Sequence, residues 1–172
     1  MNIQLKQLEE YELDLFRSEM IGAFQQGVLD RFGSLDAAPI PSASDIDNAW
    51  QDAACNLFII TADNTPAGGT IIRYAGNKKY SLDLLFIFKE FRNRKIGTAA
   101  WQAIEQYFPA AEIGETCTPY FERRNIHFYL NKCHFKIVDF FNDIHKEEPD
   151  LTAQFKDINT SGFFRFEKVL KQ

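Results

Sequence analysis

The sequence has no apolar run near the roughly 20 residues that a membrane-spanning helix needs, and no internal repeat or low-complexity segment. Its three cysteines, Cys55, Cys117 and Cys133, are odd in number and widely spaced. Without a Cys-x-x-Cys pair or Cys/His zinc spacing, reduced thiols and no metal are expected. An excess of positive charge is also missing. The formal net charge is −5, which argues against a general nucleic-acid binder and weakly favours cationic substrates. The opening residues, MNIQLKQLEEYELD, are charged and lack the apolar stretch of a secretion leader. A cytoplasmic protein that engages neither membrane nor nucleic acid is the expectation. Asn159-Thr160-Ser161 matches a glycosylation sequon, which reads as chance without such a leader. Neither GxxxxGK[ST] nor GxGxxG occurs, so the common phosphate-binding signatures do not apply.

What is present is ordinary in bulk. A chain of 172 residues, 45% hydrophobic and 25% charged, predicts one domain over 1–172 with a sizeable core. Aromatics reach 15%, with 17 Phe, enough for a well-filled core or an aromatic-lined cleft.

Hydrophobic periodicity orders the elements. Ile3 to Leu8 alternates as a strand, and residues 10 to 32 are helical, as one helix or as two broken near Gly22 or Gly27. GSLDAAPIPSASD, residues 33 to 45, reads as a surface loop. Strands follow over Asn56–Thr61, Gly68–Tyr74 and Tyr80–Phe88, with turn residues between them. A helix from about Arg94 to Phe108, with Ala100, Ile104, Tyr107 and Phe108 inward, stops at Pro109. A strand over residues 111 to 117 leads to Thr118-Pro119, which suits a helix start. Phe135–Phe141 and FFRFEKVL are the closing strands; the latter either pairs across a homodimer or finishes the core. The order is β, α, α, β, β, β, α, β, α, β, β: a mixed α/β fold with a mainly antiparallel sheet flanked by helices.

The stretch FRNRKIGTAAW gathers Arg92, Arg94 and Lys95 at a strand-to-helix turn. A helix start exposes free backbone N–H groups and the positive end of the dipole, so anions bind there. A plain solvated basic turn is the alternative.

LDLLFIFKEFRNRKIGTAAWQAIE resembles the acetyl-CoA-binding motif of the GCN5-related N-acetyltransferases. In that family a strand ends in a hydrophobic pair, and an Arg/Gln-x-x-Gly-x-Gly/Ala loop opens a helix and holds the pyrophosphate. Arg92, Asn93, Arg94, Lys95, Ile96 and Gly97 occupy the six loop positions, with Lys95 replacing the first glycine and Lys89 a frequent proline. TPYFERRNIHFYLNKCHFKIV resembles the later CoA-contacting segment, with Tyr129 at its tyrosine, His134-Phe135 replacing Gly-Phe, and Glu122 replacing a frequent asparagine. The resemblance is densest over residues 80 to 138.

It implies transfer of acetyl from acetyl-CoA to a primary amine, by direct attack. Tyr129 would be the acid toward the leaving thiolate, since its pKa lies near or above that of a thiol. Asp83, in an otherwise apolar strand, would be a base or a counter-ion for the amine, or would be satisfied by Arg73 or nearby backbone. Phe86, Ile87 and Phe88 occupy the region where the strand splays from its neighbour and backbone groups meet the pantetheine and the thioester oxygen. Thr98, Asn125 and Phe128 complete the expected acetyl-CoA contacts. A small-molecule amine is the expected acceptor, given the acidic balance. Two other readings stand at this point: a non-catalytic CoA-binding sensor or interaction module, and an unrelated α/β domain holding another phosphate ligand.

Overall fold

The computed structural model describes residues 1–37, 41–74, 76–92, 94–142, 144–145 and 162–170. These form β1 (Ile3–Gln7), α1 (Leu13–Phe32), α2 (Ala43–Gln51), β2 (Cys55–Ala62), β3 (Thr65–Tyr74), β4 (Lys79–Ile87), α3 (Ile96–Tyr107), β5 (Ile113–Pro119), α4 (Arg123–Asn131), β6 (Lys136–Phe141) and β7 (Phe163–Val169). One seven-stranded sheet runs β1-β2-β3-β4-β5-β7-β6. Each neighbouring pair is antiparallel except β4–β5, which is parallel. A parallel pair needs a crossover, and α3 supplies it.

The helices cover opposite faces. Leu13, Phe16 and Met20 of α1 and Ile46 of α2 pack on Leu57, Ile71, Leu84 and Phe86. Trp101 and Ile104 of α3 and Tyr129 of α4 pack on Phe58, Ile72, Tyr80, Leu82 and Phe166. Each large apolar side chain fully buried in this way stabilises the fold by roughly 1.5–3 kcal/mol before entropy is counted.

Strand β4 serves both faces because its period is interrupted. Tyr80 and Leu82 join the α3–α4 core, whereas Leu84 and Phe86 join the α1–α2 core. In the β3–β4 register Ile72 opposes Leu82 and Ile71 opposes Leu84, so Asp83 is an extra residue, a β-bulge. One extra residue sends every following side chain to the other face.

Several sequence expectations change. Residues 13–32 form one helix through Gly22 and Gly27, ended by Gly33 at φ +74°. The stretch read as loop contains the start of α2, where Ser42 and Asp45 make reciprocal capping bonds. Tyr107 is 49% exposed, and Trp101 takes its inward place at 1%. Thr118 and Pro119 do not start a helix. They end β5, paired with Phe164 and Phe163 of β7, and α4 begins at Arg123. Proline has no N–H to lose where β5 no longer has β4 beside it.

Candidate active site

The parallel β4–β5 pair is four residues long, from Lys79 opposite Ile113 to Leu82 opposite Thr116. Beyond that rung β4 stays with β3 through Ile87, and β5 stays with β7 through Pro119. The two strands therefore part at the Asp83 bulge. Past Leu82, the edge of β4 turned toward β5 has no strand partner among the described residues.

Tyr129 stands at the point of divergence. It projects from α4 between Phe128, Phe135 and Phe166, with ring centroids at 5.4, 5.7 and 5.4 Å, and is 6% exposed. Its phenol hydrogen-bonds with Thr116 on the last paired rung. The Thr116 hydroxyl also donates to the Leu82 carbonyl, at 2.8 Å. Burial raises the Tyr129 pKa well above the ordinary phenol value, and the Thr116 bond opposes that only in part. Cys133, behind it in the same core, is pushed up to about 12 by burial.

Asp83 meets the other face. Its side chain is 9% exposed, and its Oδ2 lies 3.3 Å from Arg73 Nε. Asp52, just past α2, holds the Nη1 of the same guanidinium. Arg73 lies two residues beyond Ile71 on β3, opposite Cys55, and both Ile71 and Cys55 pack in the α1–α2 core. Of the openings left by the sequence for Asp83, the pairing with Arg73 is present.

The basic turn lies at the open end of the strand pair. Lys95 precedes α3 with φ +61°, a left-handed conformation that favours glycine. The first intrahelical bond there runs from Ala99 N to Lys95 O, at 3.1 Å. The amides of Ile96, Gly97 and Thr98 thus have no partner within the helix. Arg92 donates from Nε to the Ile87 carbonyl at 3.4 Å, and its Nη1 is 3.8 Å from Asp30 of α1. Arg94 lies over the Phe91 ring, 5.7 Å from its centroid, and Lys95 is exposed. Asn93 lies outside the described residues.

Other expected residues serve packing in addition. Ile96 is buried with Ala100, and Ile87 packs against them. A Cβ on Gly97 would sit 3.3 Å from Phe128, so this glycine lets α3 approach α4. The Phe86 side chain lies in the α1–α2 core, 5.4 Å from Phe16, and Phe88 packs on it at 6.0 Å, with the Phe88 N–H donating to the Ala67 carbonyl of β3 at 2.9 Å. Asn125 donates to the Thr118 hydroxyl at 3.4 Å. Thr98 is half-buried in the first turn of α3.

Sequence reasoning missed Asp52, Thr116 and Asp30. Asp52 follows the overlooked helix α2, whose Ser-x-x-Asp capping pattern was the available signal. Thr116 and Asp30 matter only through long-range pairing, and nothing local marks them. Glu122, at the N-cap of α4, is half-buried, and burial raises its pKa against the opposing pull of Arg124 and Arg31.

A parted parallel strand pair with a basic helix start at its mouth defines an acetyl-CoA-dependent acyltransferase fold, and the comparisons agree. The model of the acetyltransferase (GNAT) family matches residues 17–135. The uncharacterized protein YrkN of Bacillus subtilis (strain 168) is 35% identical over 174 residues, covering 98% of this chain and 94% of YrkN. The ribosomal-protein-S18-alanine N-acetyltransferase of Escherichia coli superposes with a TM-score of 0.69 at 10% identity, over 99% of this chain and 96% of that one. The PaiA N-acetyltransferase of Thermoplasma acidophilum, solved in complex with coenzyme A, gives 0.64 at 15% identity, over 98% and 99% of the two chains. This chain belongs to the GNAT acetyltransferase family. GNAT enzymes use acetyl-CoA as their co-substrate.

The residues present fit that co-substrate. The unpaired edge of β4 offers backbone groups for amides of a pantetheine arm, and unmet buried backbone groups are costly. The free amides of α3, beside Arg92, Arg94 and Lys95, suit a pyrophosphate.

Proposed function

We propose that this protein acetylates a primary amine of a small cationic molecule by direct attack on acetyl-CoA, with no covalent enzyme intermediate. Acetyl-CoA, when bound, supplies an activated acyl carbon: the N–C bond forms there as the C–S bond breaks. Tyr129 holds a proton at its phenol oxygen and donates it, or a hydrogen bond, toward the leaving sulfur. The Phe88 N–H is committed to the Ala67 carbonyl at 2.9 Å, so alternation along the strand leaves the Ile87 N–H, between Phe86 and Phe88, to stabilise charge on the acyl oxygen. The amides of Ile96, Gly97 and Thr98, with Arg92, Asn93, Arg94 and Lys95, hold the phosphates. Asn125 and Phe128 border the donor from α4.

Asp83 receives the amine. A carboxylate bound to a guanidinium is a weak base, so its role is to hold the arriving ammonium and to pass its proton through water to solvent. The supporting observation is the charge count at the bulge: one guanidinium, Arg73, is shared by two carboxylates, Asp52 and Asp83. The remaining negative charge favours a cationic acceptor.

Calorimetric titration with acetyl-CoA, CoA and ATP tests the donor site. Micromolar binding of both CoA species with little ATP binding is expected; no CoA binding would return the chain to an interaction role. A panel of spermidine, an aminoglycoside, an amino-acid amide and an alanine-initiated peptide, with Tyr129→Phe as control, tests the acceptor. Faster acetylation of the peptide than of the polycations would overturn the small-molecule reading.

A further inference from the structure

We propose that Arg73 is a positioning residue for acetyl transfer: clamped by Asp52, it fixes the Asp83 carboxylate at the bulge, facing the acceptor. This rests on the reading of Asp83 as the residue that receives the amine.

The clamp is built from anchored parts. Asp52 Oδ1 accepts the Ala54 N–H at 2.9 Å, and the Ala54 carbonyl accepts the Tyr74 N–H at 2.7 Å. The Asp52 carbonyl accepts the Cys55 N–H at 2.9 Å. Asp52 is thereby tied to the ends of β2 and β3, and its free oxygen grips Arg73. Rotation of Arg73 away from Asp83 would break that grip. The bulge shifts Asp83 out of the regular β3–β4 register, and the clamp fixes where its carboxylate lies.

The neighbouring charges do not supply this function. Cys55 is pushed up to about 12, first by burial and further by Asp83 and Asp52, so it stays a neutral thiol. On α1 and α2, Arg17 is engaged by Asp14 and Asp47. On β5, Glu115 is held by Lys79 at 2.6 Å. Asp52, Arg73 and Asp83 therefore act as one charge group. The guanidinium keeps the nearly buried Asp83 ionised, while the second carboxylate keeps the group net negative.

Two variants should move Asp83 in opposite directions. Arg73→Gln removes the cation, so Asp83 should titrate about one pH unit or more higher than in the wild type. Asp52→Asn removes the competing anion and retains the Oδ1 acceptor, so Asp83 should titrate lower. Carbon-13 NMR of protein labelled at the Asp carboxyls reads this directly, with Asp83→Asn assigning the resonance. With the fastest panel amine, the acid limb of kcat/KM should move in the same two directions, and Asp52→Asn should raise the amine KM roughly five-fold through the lost charge. Arg73→Lys should restore the profile in part, and it serves if Arg73→Gln does not fold. Coinciding Asp83 titration curves in wild type, Asp52→Asn and the Arg73 variant would overturn the proposal. An Asp83→Asn variant with wild-type rate and amine KM would instead sink the reading beneath it, whatever the NMR shows.

Discussion

The two faces of the parted strand pair are built in opposite ways. On the α3–α4 face, burial outweighs charge: Lys168 over the Trp101 ring is paired with Glu105, Tyr129 sits among Phe128, Phe135 and Phe166, and burial raises its pKa along with those of Tyr80 and Cys133. On the α1–α2 face, charges are admitted and paired, Asp83 and Asp52 with Arg73, and Glu115 with Lys79. An apolar shell keeps protons on; a guanidinium keeps carboxylates charged. In the mechanism we propose, one face stores a proton for a leaving thiolate, and the other stores a negative charge for an arriving ammonium. The Asp83 bulge makes both available from one strand.

Removing each store should show the contrast in kinetics. Tyr129→Phe is expected to lower kcat about 100-fold while leaving acetyl-CoA affinity within about two-fold. Asp83→Asn should raise the amine KM as well as lower kcat/KM, by about 100-fold at neutral pH. Steady-state kinetics with the fastest panel amine separates the two. Equal changes in both parameters for both variants would erase the distinction between the faces.

The strand pairing that holds Asp83 is the next point to strain. A Cβ on Gly68 of β3 would lie 2.2 Å from the Phe86 carbonyl oxygen, whereas the nearest atoms to one on Gly69 belong to the Phe16 and Phe86 rings, at 2.5 and 2.6 Å. Backbone moves less readily than ring edges. Gly68→Ala should destabilise the protein by about 3 kcal/mol and Gly69→Ala by less, both read from urea unfolding. Thr116→Val probes the hinge between the faces. It leaves the Tyr129 phenol and the Leu82 carbonyl without their bonds, costing about 2 kcal/mol, while Thr116→Ser should retain most of the stability.

How far the sequence foretold this differs between the halves. The half proposed to hold the donor was legible as structure because it is local: a strand, a basic turn and a helix lie consecutively over residues 79 to 107. That Tyr129 lies on a helix was readable from the motif around it. The acceptor half is assembled from residues far apart, with Asp52, Arg73 and Asp83 brought together by β2–β3–β4 pairing. The bulge that reverses the inward face of β4 has no signature in SLDLLFIF, since an alternating strand and a bulged one read alike there. Helix α2 was lost for another reason. Its Pro/Ser-rich approach looked like loop, although Ser42 and Asp45 carried a capping pattern.

The smallest expected effects concern the two positions where this chain departs from the family's glycines. Lys95 and His134 have φ of +61° and +62°, so both keep the backbone that glycine would supply. A left-handed residue with a Cβ costs about 1–2 kcal/mol, partly offset by the extra freedom glycine gives the unfolded chain. Lys95→Gly and His134→Gly should therefore each stabilise the fold by about 0.5–1 kcal/mol in chemical denaturation. Their effects on acetyl-CoA binding should differ. His134 lies in the connection between α4 and β6, whereas Lys95 stands on the basic turn beside Arg92 and Arg94. If Lys95→Gly weakens acetyl-CoA binding and makes its salt dependence shallower, the side chain supplies charge to the phosphates, and its retention at a strained position is explained. Tighter binding in Lys95→Gly would mean that the side chain crowds the turn, with Arg92 and Arg94 left as the cations that hold the donor.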